Sequence, residues 1–353
     1  MKKRVIIAAG GTGGHFYPGL VLAQTLRSRG WEPLILVRKD DPGLARLEAA
    51  GLPSAELDLK GLSRRASLGW GVFAWKLLKA VRLAGRMVKD FEPQVVVGMG
   101  GYLSFPAVFA ARRRAIPCAV HESNSQLGLA NRACVALGAK LLRGLPADTG
   151  ILTGTPVRPA LWKAGDTRTA RLKLGLDAET PTLLVFGGSQ GAKGLNELLP
   201  SIVRRMNGLQ VLHLAGAKSA DSVSQAYSGI RAKVLPFLDA MEDAYAAADL
   251  VVCRSGAATI AELVCLKKPA ILVPFPHATG RHQDDNARIL TEAGAARLVQ
   301  EEAIGSRMAK ELTDLMSSPE RRAEMSRAYD KLGLPCGEEA VRRLTDAVER
   351  VLL

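Results

Sequence analysis

At 353 residues and 48% hydrophobic content, the chain is long enough for two domains of ordinary size, each with its own core. No apolar run approaches the roughly 20 residues of a membrane span, and the apolar run after Lys2-Lys3-Arg4 is too brief for a signal peptide. The net charge of +14 is lopsided: residues 1–155 carry 22 Lys and Arg against 10 Asp and Glu, whereas residues 156–353 carry 26 against 24. A basic first half calls for an anionic partner, whether nucleic acid, an acidic membrane surface or a phosphorylated substrate. The 5 cysteines (Cys118, Cys134, Cys253, Cys265 and Cys336) are odd in number and lack CxxC spacing, so they read as free thiols in a reducing, cytoplasmic compartment.

The first strand-like run covers residues 4–9 and ends in Gly10-Gly11-Thr12-Gly13-Gly14-His15. Further runs at 33–38, 94–98, 117–121 and 139–143 alternate with helical patterns near 16–30, 43–50, 68–89, 104–115 and 126–137. Residues 153–159 combine turn formers with two prolines and mark an interdomain hinge. The second half repeats the alternation, with strands near 182–186, 209–214, 233–236, 249–253 and 270–274. Its first strand ends in Gly187-Gly188-Ser189-Gln190-Gly191-Ala192, a second glycine-rich turn in a near-equivalent place. Pro335 and Gly337 break the last helical run and leave 338–352 as a separate terminal helix. This pattern predicts two doubly wound, Rossmann-like α/β domains facing each other across a cleft, one of residues 1–155 plus 338–353 and one of 156–337.

Glycines after a buried strand let backbone N–H groups approach a phosphate, and the helix start behind them favours negative charge. Neither turn completes the dinucleotide spacing: Phe16 stands where the first would need its third glycine, so NAD is disfavoured even though Asp40 follows the second strand. His15 sits at a helix start, whose positive end should keep the imidazole neutral and able to accept a proton. Arg254-Ser255-Gly256-Ala257-Ala258-Thr259 opens another helix after a strand, with Glu262 two turns in and suited to a pair of ribose hydroxyls. Gln283 and Asn286 offer a donor and an acceptor each, which suits uncharged sugar hydroxyls. In residues 70–89, Lys76, Lys79, Arg82, Arg86 and Lys89 share one predicted helical face, while Phe73, Leu77, Ala80, Val81, Ala84, Met87 and Val88 share another. The pattern fits an ordinary surface helix with its apolar side in the core; with Arg64-Arg65 and Arg112-Arg113-Arg114 nearby in sequence, it equally suits a membrane surface. No aromatic-interleaved basic groove is present, which argues against nucleic acid.

Taken in order, several motifs resemble the MurG family, the UDP-N-acetylglucosamine transferases of peptidoglycan synthesis, over nearly the whole chain. They are the first glycine turn with Pro18-Gly19, Gly98-Met99-Gly100-Gly101-Tyr102, His121-Glu122-x-Asn124, Gly154-x-Pro156-Val157-Arg158, the second glycine turn, Arg254-Ser255-Gly256-Ala257 and Gln283-x-x-Asn286. The resemblance implies an inverting glycosyltransferase of the GT-B type, with no cofactor and no metal. It would move GlcNAc from UDP-GlcNAc to the C4 hydroxyl of MurNAc in lipid I (undecaprenyl-pyrophosphoryl-MurNAc-pentapeptide), giving lipid II. The N-terminal domain would hold the lipid at an anionic membrane surface and the C-terminal domain the nucleotide sugar.

By the same resemblance, the backbone near Phe237 and Leu238 reads uracil and Glu262 the ribose. Arg158, Ser189, Ser255, Gly256, Ala257 and Thr259 meet the diphosphate; Gln283 and Asn286 meet the sugar. Thr12, Gly13, Gly14, Tyr102, Asn124 and Asn131 line the acceptor side together with His15 and Glu122, either of which could be the base. One departure is His282, where some members carry Gln. Three other readings compete: a glycosyltransferase using diacylglycerol, a UDP-GlcNAc 2-epimerase on the same fold, and a nucleotide-binding protein without turnover.

Overall fold

The apolar runs form strands buried on both faces, as a parallel sheet covered by helices requires. The computed structural model describes residues 3–59, 69–188 and 191–352. It divides into one unit of Met1–Pro159 with Pro335–Leu353 and another of Ala160–Leu334. In chain order the first unit contains β1 (Lys3–Ala8), α1 (Gly13–Ser28), β2 (Trp31–Arg38), α2 (Leu44–Ala49), β3 (Ser54–Leu57) and α3 (Gly69–Phe91). It continues with β4 (Val95–Gly98), α4 (Ser104–Arg112), β5 (Cys118–Glu122), α5 (Leu129–Ala136), β6 (Lys140–Arg143) and β7 (Ile151–Leu152). The second unit runs α6 (Thr167–Lys173), β8 (Thr182–Phe186), α7 (Lys193–Val203), β9 (Gln210–Leu214), α8 (Ala220–Ala226), β10 (Ala232–Leu235) and α9 (Met241–Ala247). After these come β11 (Leu250–Cys253), α10 (Ala257–Leu266), β12 (Ala270–Leu272), α11 (His282–Glu292), β13 (Ala296–Leu298), α12 (Ile304–Met316) and α13 (Pro319–Ala328). Finally α14 (Gly337–Arg350) rejoins the first unit, where Leu344, Ala347 and Val348 pack with Val5, Ile7 and α1.

Both sheets are parallel, in the orders β3-β2-β1-β4-β5-β6-β7 and β10-β9-β8-β11-β12-β13. Each is a doubly wound sheet that reverses direction beside its first strand. Three strands that hydropathy passes over, β3, β7 and β13, are short and sit at or beside the sheet edges. Edge positions do not demand continuous apolar runs, so their sequences carry little signal. Helix α1 begins at Gly13, earlier than its apolar pattern, because the glycines themselves form its first turn; Pro18 therefore lies in the second turn. Within residues 153–159, Thr153, Thr155 and Val157 are buried. Gly154, with φ +75°, has no room for a side chain: a Cβ there would stand 2.2 Å from the Pro335 carbonyl oxygen.

Candidate active site

In an open parallel sheet, ligands bind beyond the carboxyl ends of the strands where the order reverses. In the first unit that place lies between β1 and β4, with the end of β5 beside it. Gly10 and Gly11 lead out of β1. A Cβ on Gly10 would stand 2.9 Å from Asp41 Oδ2. That oxygen accepts the Gly11 N–H at 2.7 Å, and Oδ1 accepts the Gly43 N–H at 2.9 Å. Buried Asp41, not exposed Asp40, is thus the acid that serves the glycine turn. Gly13 and Gly14 open α1 without a side-chain cap. Thr12 Oγ1 is hydrogen-bonded instead to His15 Nδ1, at 3.2 Å.

The half-buried His15 ring lies over Gly100 and Gly101. A Cβ on Gly100 would stand 2.9 Å from His15 Nε2, and one on Gly101 3.2 Å from Nδ1. These glycines, at φ +99° and +73°, are the floor that lets the imidazole lie down. Burial lowers the His15 pKa from its ordinary 6.5, and the charge of Glu122 partly opposes the shift. The direction is that expected from the sequence, but the leading cause is burial rather than the helix end.

Glu122 ends β5 with its carboxylate fully engaged. Oε1 accepts from the Asn124 backbone N–H and side-chain amide, both at 3.1 Å. Oε2 accepts from the Gly128 N–H at 2.9 Å and the Asn131 amide at 3.0 Å. Asn131 is itself buried and also donates to the His121 carbonyl at 3.0 Å. It faces inward as a support for β5, where the sequence placed it on the acceptor surface. Arg143, level with Glu122 in the β5–β6 register, is buried and donates to the Ser125 carbonyl. His121 donates to the Gly154 carbonyl at 3.0 Å, and burial pushes its pKa down to about 4. Tyr102 is exposed and meets Phe73 edge-on, with centroids 6.0 Å apart. Arg158 belongs to this first unit, its guanidinium 5.1 Å above the ring of Tyr17 on α1.

The second unit repeats the plan between β8 and β11. A Cβ on Gly187 would stand 2.3 Å from that of Ala192, and one on Gly191 2.0 Å from the Ala215 carbonyl oxygen. Gly188, at φ +101°, faces open space. Ser189 lies outside the described residues. Asn196 donates to the same Ala215 carbonyl at 2.9 Å, and its Oδ1 is 3.0 Å from His213 Nε2. His213 Nδ1 is 3.2 Å from the Tyr227 hydroxyl, and burial pushes the histidine down to about 4.

Arg254, at the end of β11, donates to the carbonyls of Val273 and Pro274 and pairs with Glu301. Its charge is therefore used to hold the turn after β12. Ser255 Oγ donates to the Gln283 carbonyl at 2.7 Å, and the Asn286 amide donates to the Ser255 carbonyl at 3.1 Å. Asn286, expected to meet a sugar, is fully buried and ties α11 to the start of α10. Half-buried Gln283 accepts from the Phe275 N–H at 3.0 Å. Gly256 caps α10 beside open space, and Ala257, Ala258 and Thr259 form a half-buried first turn. Glu262, one turn further, accepts from the hydroxyl of fully buried Tyr245 at 2.8 Å. Phe237 is exposed and Leu238 half-buried, in the turn between β10 and α9. Among the described residues, no group of His, Cys, Asp and Glu is arranged to hold a metal.

Sequence reasoning missed Asp41, Arg143, Asn196, His213 and Tyr245. Each acts through a neighbour distant in the chain, and none lies in a motif that advertises it.

Two doubly wound parallel-sheet α/β units are the components of the GT-B glycosyltransferase fold. Residues 5–140 match the glycosyltransferase family 28 N-terminal domain and residues 182–343 its C-terminal domain. A UDP-N-acetylglucosamine--N-acetylmuramyl-(pentapeptide) pyrophosphoryl-undecaprenol N-acetylglucosamine transferase of Elusimicrobium minutum is 37% identical over 361 residues, covering 98% of this chain and 99% of its own. The crystal structure of Acinetobacter baumannii MurG superposes with a TM-score of 0.79 at 28% identity, covering 99% of each chain. The chain belongs to the MurG family. A UDP-N-acetylglucosamine 2-epimerase, at 17% identity, TM-score 0.64 and coverage of 98% and 95%, shares the fold alone.

Proposed function

We infer that this chain transfers N-acetylglucosamine from UDP-N-acetylglucosamine to lipid I, forming lipid II; membership of the family supports the substrate pair. The finer chemistry follows from the two sites. The donor lies on the second unit, its ribose at Glu262, its diphosphate at Gly188 and the first turn of α10, and its sugar at Gln283. Amides at a helix start stabilise the charge that grows on departing UDP. The C4 hydroxyl of MurNAc attacks the anomeric carbon with inversion and surrenders its proton to His15.

The observation that favours His15 over Glu122 is the set of four hydrogen bonds into the Glu122 carboxylate. A carboxylate has about four lone-pair positions, so none is left for an acceptor proton. In the tautomer whose Nδ1–H donates to Thr12 Oγ1, His15 keeps the Nε2 lone pair to take it. In a transfer assay with radiolabelled UDP-GlcNAc and a soluble lipid I analogue, His15→Ala should lower kcat by about 10²–10³-fold with UDP affinity unchanged. A folded Glu122→Gln variant that loses more turnover than His15→Ala would return the base to Glu122. Without acceptor, the donor should not epimerise.

The first unit also meets the membrane through α3. Ala80, Ala84 and Val88 pack in the core, while Trp75 is 61% and Leu78 48% exposed beside exposed Lys79, Arg82, Arg86 and Lys89. Lys76 departs from the expected face, since its ammonium pairs with Asp58 at 3.1 Å. An apolar pair flanked by cations suits an anionic leaflet. No helix among the described residues is long and apolar enough to cross the bilayer.

A further inference from the structure

We propose that Tyr245 is a positioning residue for donor recognition: its hydroxyl fixes the Glu262 carboxylate in the orientation that reads the ribose hydroxyls. The inference rests on the assignment of the ribose to Glu262. The two residues come from different helices, Tyr245 from α9 and Glu262 from α10, and the hydroxyl donates to Oε2 at 2.8 Å. A glutamate on a half-exposed helix face otherwise samples several rotamers, and each must be given up when a ligand binds. A buried donor on one oxygen removes that freedom beforehand.

Tyr245 is also placed to link the parts of the site. Its ring meets Phe186 edge-on, with centroids 5.9 Å apart, and Phe186 is the last residue of β8 before the second glycine turn. Helix α9 begins just after the Phe237-Leu238 turn assigned to uracil. One buried ring therefore touches the strand beneath the diphosphate turn and the carboxylate beneath the ribose. Burial and the neighbouring carboxylate raise the phenol pKa well above its ordinary value, so the hydroxyl keeps its proton and donates throughout the working pH range.

The test is calorimetry with UDP and 2′,3′-dideoxy-UDP on the wild type, Tyr245→Phe, Glu262→Ala and the double variant. Tyr245→Phe keeps the ring and should weaken UDP on the order of 10-fold while changing dideoxy-UDP far less. In the Glu262→Ala background it should cost no further affinity. With UDP-GlcNAc as substrate, KM should rise while kcat holds. Glu262→Asp, too short to meet tyrosine and ribose together, should show the same selective loss and serves if Tyr245→Phe misfolds. Equal losses for both nucleotides in Tyr245→Phe, with Glu262→Ala still selective, would make Tyr245 a packing residue and overturn the proposal. If Glu262→Ala is not selective either, the ribose assignment itself fails and the proposal falls with it.

Discussion

The two units begin alike, with a buried strand running into glycines and a helix, yet their glycine turns are built for different work. In the first, a buried carboxylate occupies the turn's own amide, Asp41 on Gly11, and the helix start carries a histidine lying over two further glycines. In the second, Gly191 is pressed against the Ala215 carbonyl, and a Cβ on Gly188 would meet open space. A carboxylate fixed at a backbone amide repels a second anion, whereas a glycine turn ahead of a helix favours one where no such charge faces it. Similar local sequence thus acquires different surroundings, which fit the proposed base in one unit and the proposed diphosphate site in the other. The teaching is that a glycine turn takes its chemistry from what faces it.

The sharpest way to break that comparison is to put a methyl group on one glycine of each turn. At Gly191, a Cβ 2.0 Å from a backbone oxygen at φ +76° should cost about 3 kcal/mol of stability and on the order of 10-fold in UDP affinity. At Gly11, φ is +87° but nothing lies within 4 Å, so Gly11→Ala should cost about 1 kcal/mol and leave UDP binding alone. Urea melts and calorimetry on both variants decide it. If Gly11→Ala impairs UDP as much as Gly191→Ala does, the division of labour is wrong.

A comparable effect, confined to low pH, concerns the histidines that support each site from inside. His121 in the first unit and His213 in the second are both held near pKa 4 by burial, against 6.5 when unfolded. The unfolded chain therefore binds protons first as pH falls. Stability should be complete above pH 6.5 and decline toward pH 4, by about 3 kcal/mol for each histidine. Thermal melts across that window should show His213→Gln flattening the slope. A melting temperature independent of pH from 7 to 4.5 would remove both histidines from this role.

A further effect, on membrane binding rather than on stability, probes the charge difference between the units. Replacing Lys79, Arg82 and Arg86 with Gln should reduce sedimentation with anionic vesicles by a few kcal/mol at most, and less at high salt. Neutral vesicles and turnover of a short-chain acceptor should be unaffected. Equal binding of variant and wild type to anionic vesicles would make α3 an ordinary solvated helix.

Much of this architecture is legible in the chain because its causes are local. A strand buried on both faces must be apolar along its length, so β1, β4, β8 and β11 announce themselves. Turns that need positive φ or close approach must be glycine, so both active turns are visible as letters. The edge strands β3 and β13 were hidden because an edge needs neither property.

What the sequence by itself determined is the pair of βα beginnings, the uneven charge and the ordered motifs that mark the family, since each follows from a backbone requirement or a net sum. Only the tertiary structure decided how the polar side chains are used. Glu122 and His15 were equal candidates as letters, and only in space do residues 124, 128 and 131 donate to the Glu122 carboxylate, the ground for proposing His15. Asp40 and Asp41 are adjacent in the chain, yet just one is folded back onto Gly11. Asn131, expected on the acceptor side, and Asn286, expected at the sugar, are both buried and hold neighbouring elements together. Tyr245 meets Glu262 across 17 residues of chain that carry no trace of the bond. A hydrogen bond needs its two groups within about 3 Å, and for groups far apart in sequence that distance is set by packing rather than by either residue's identity.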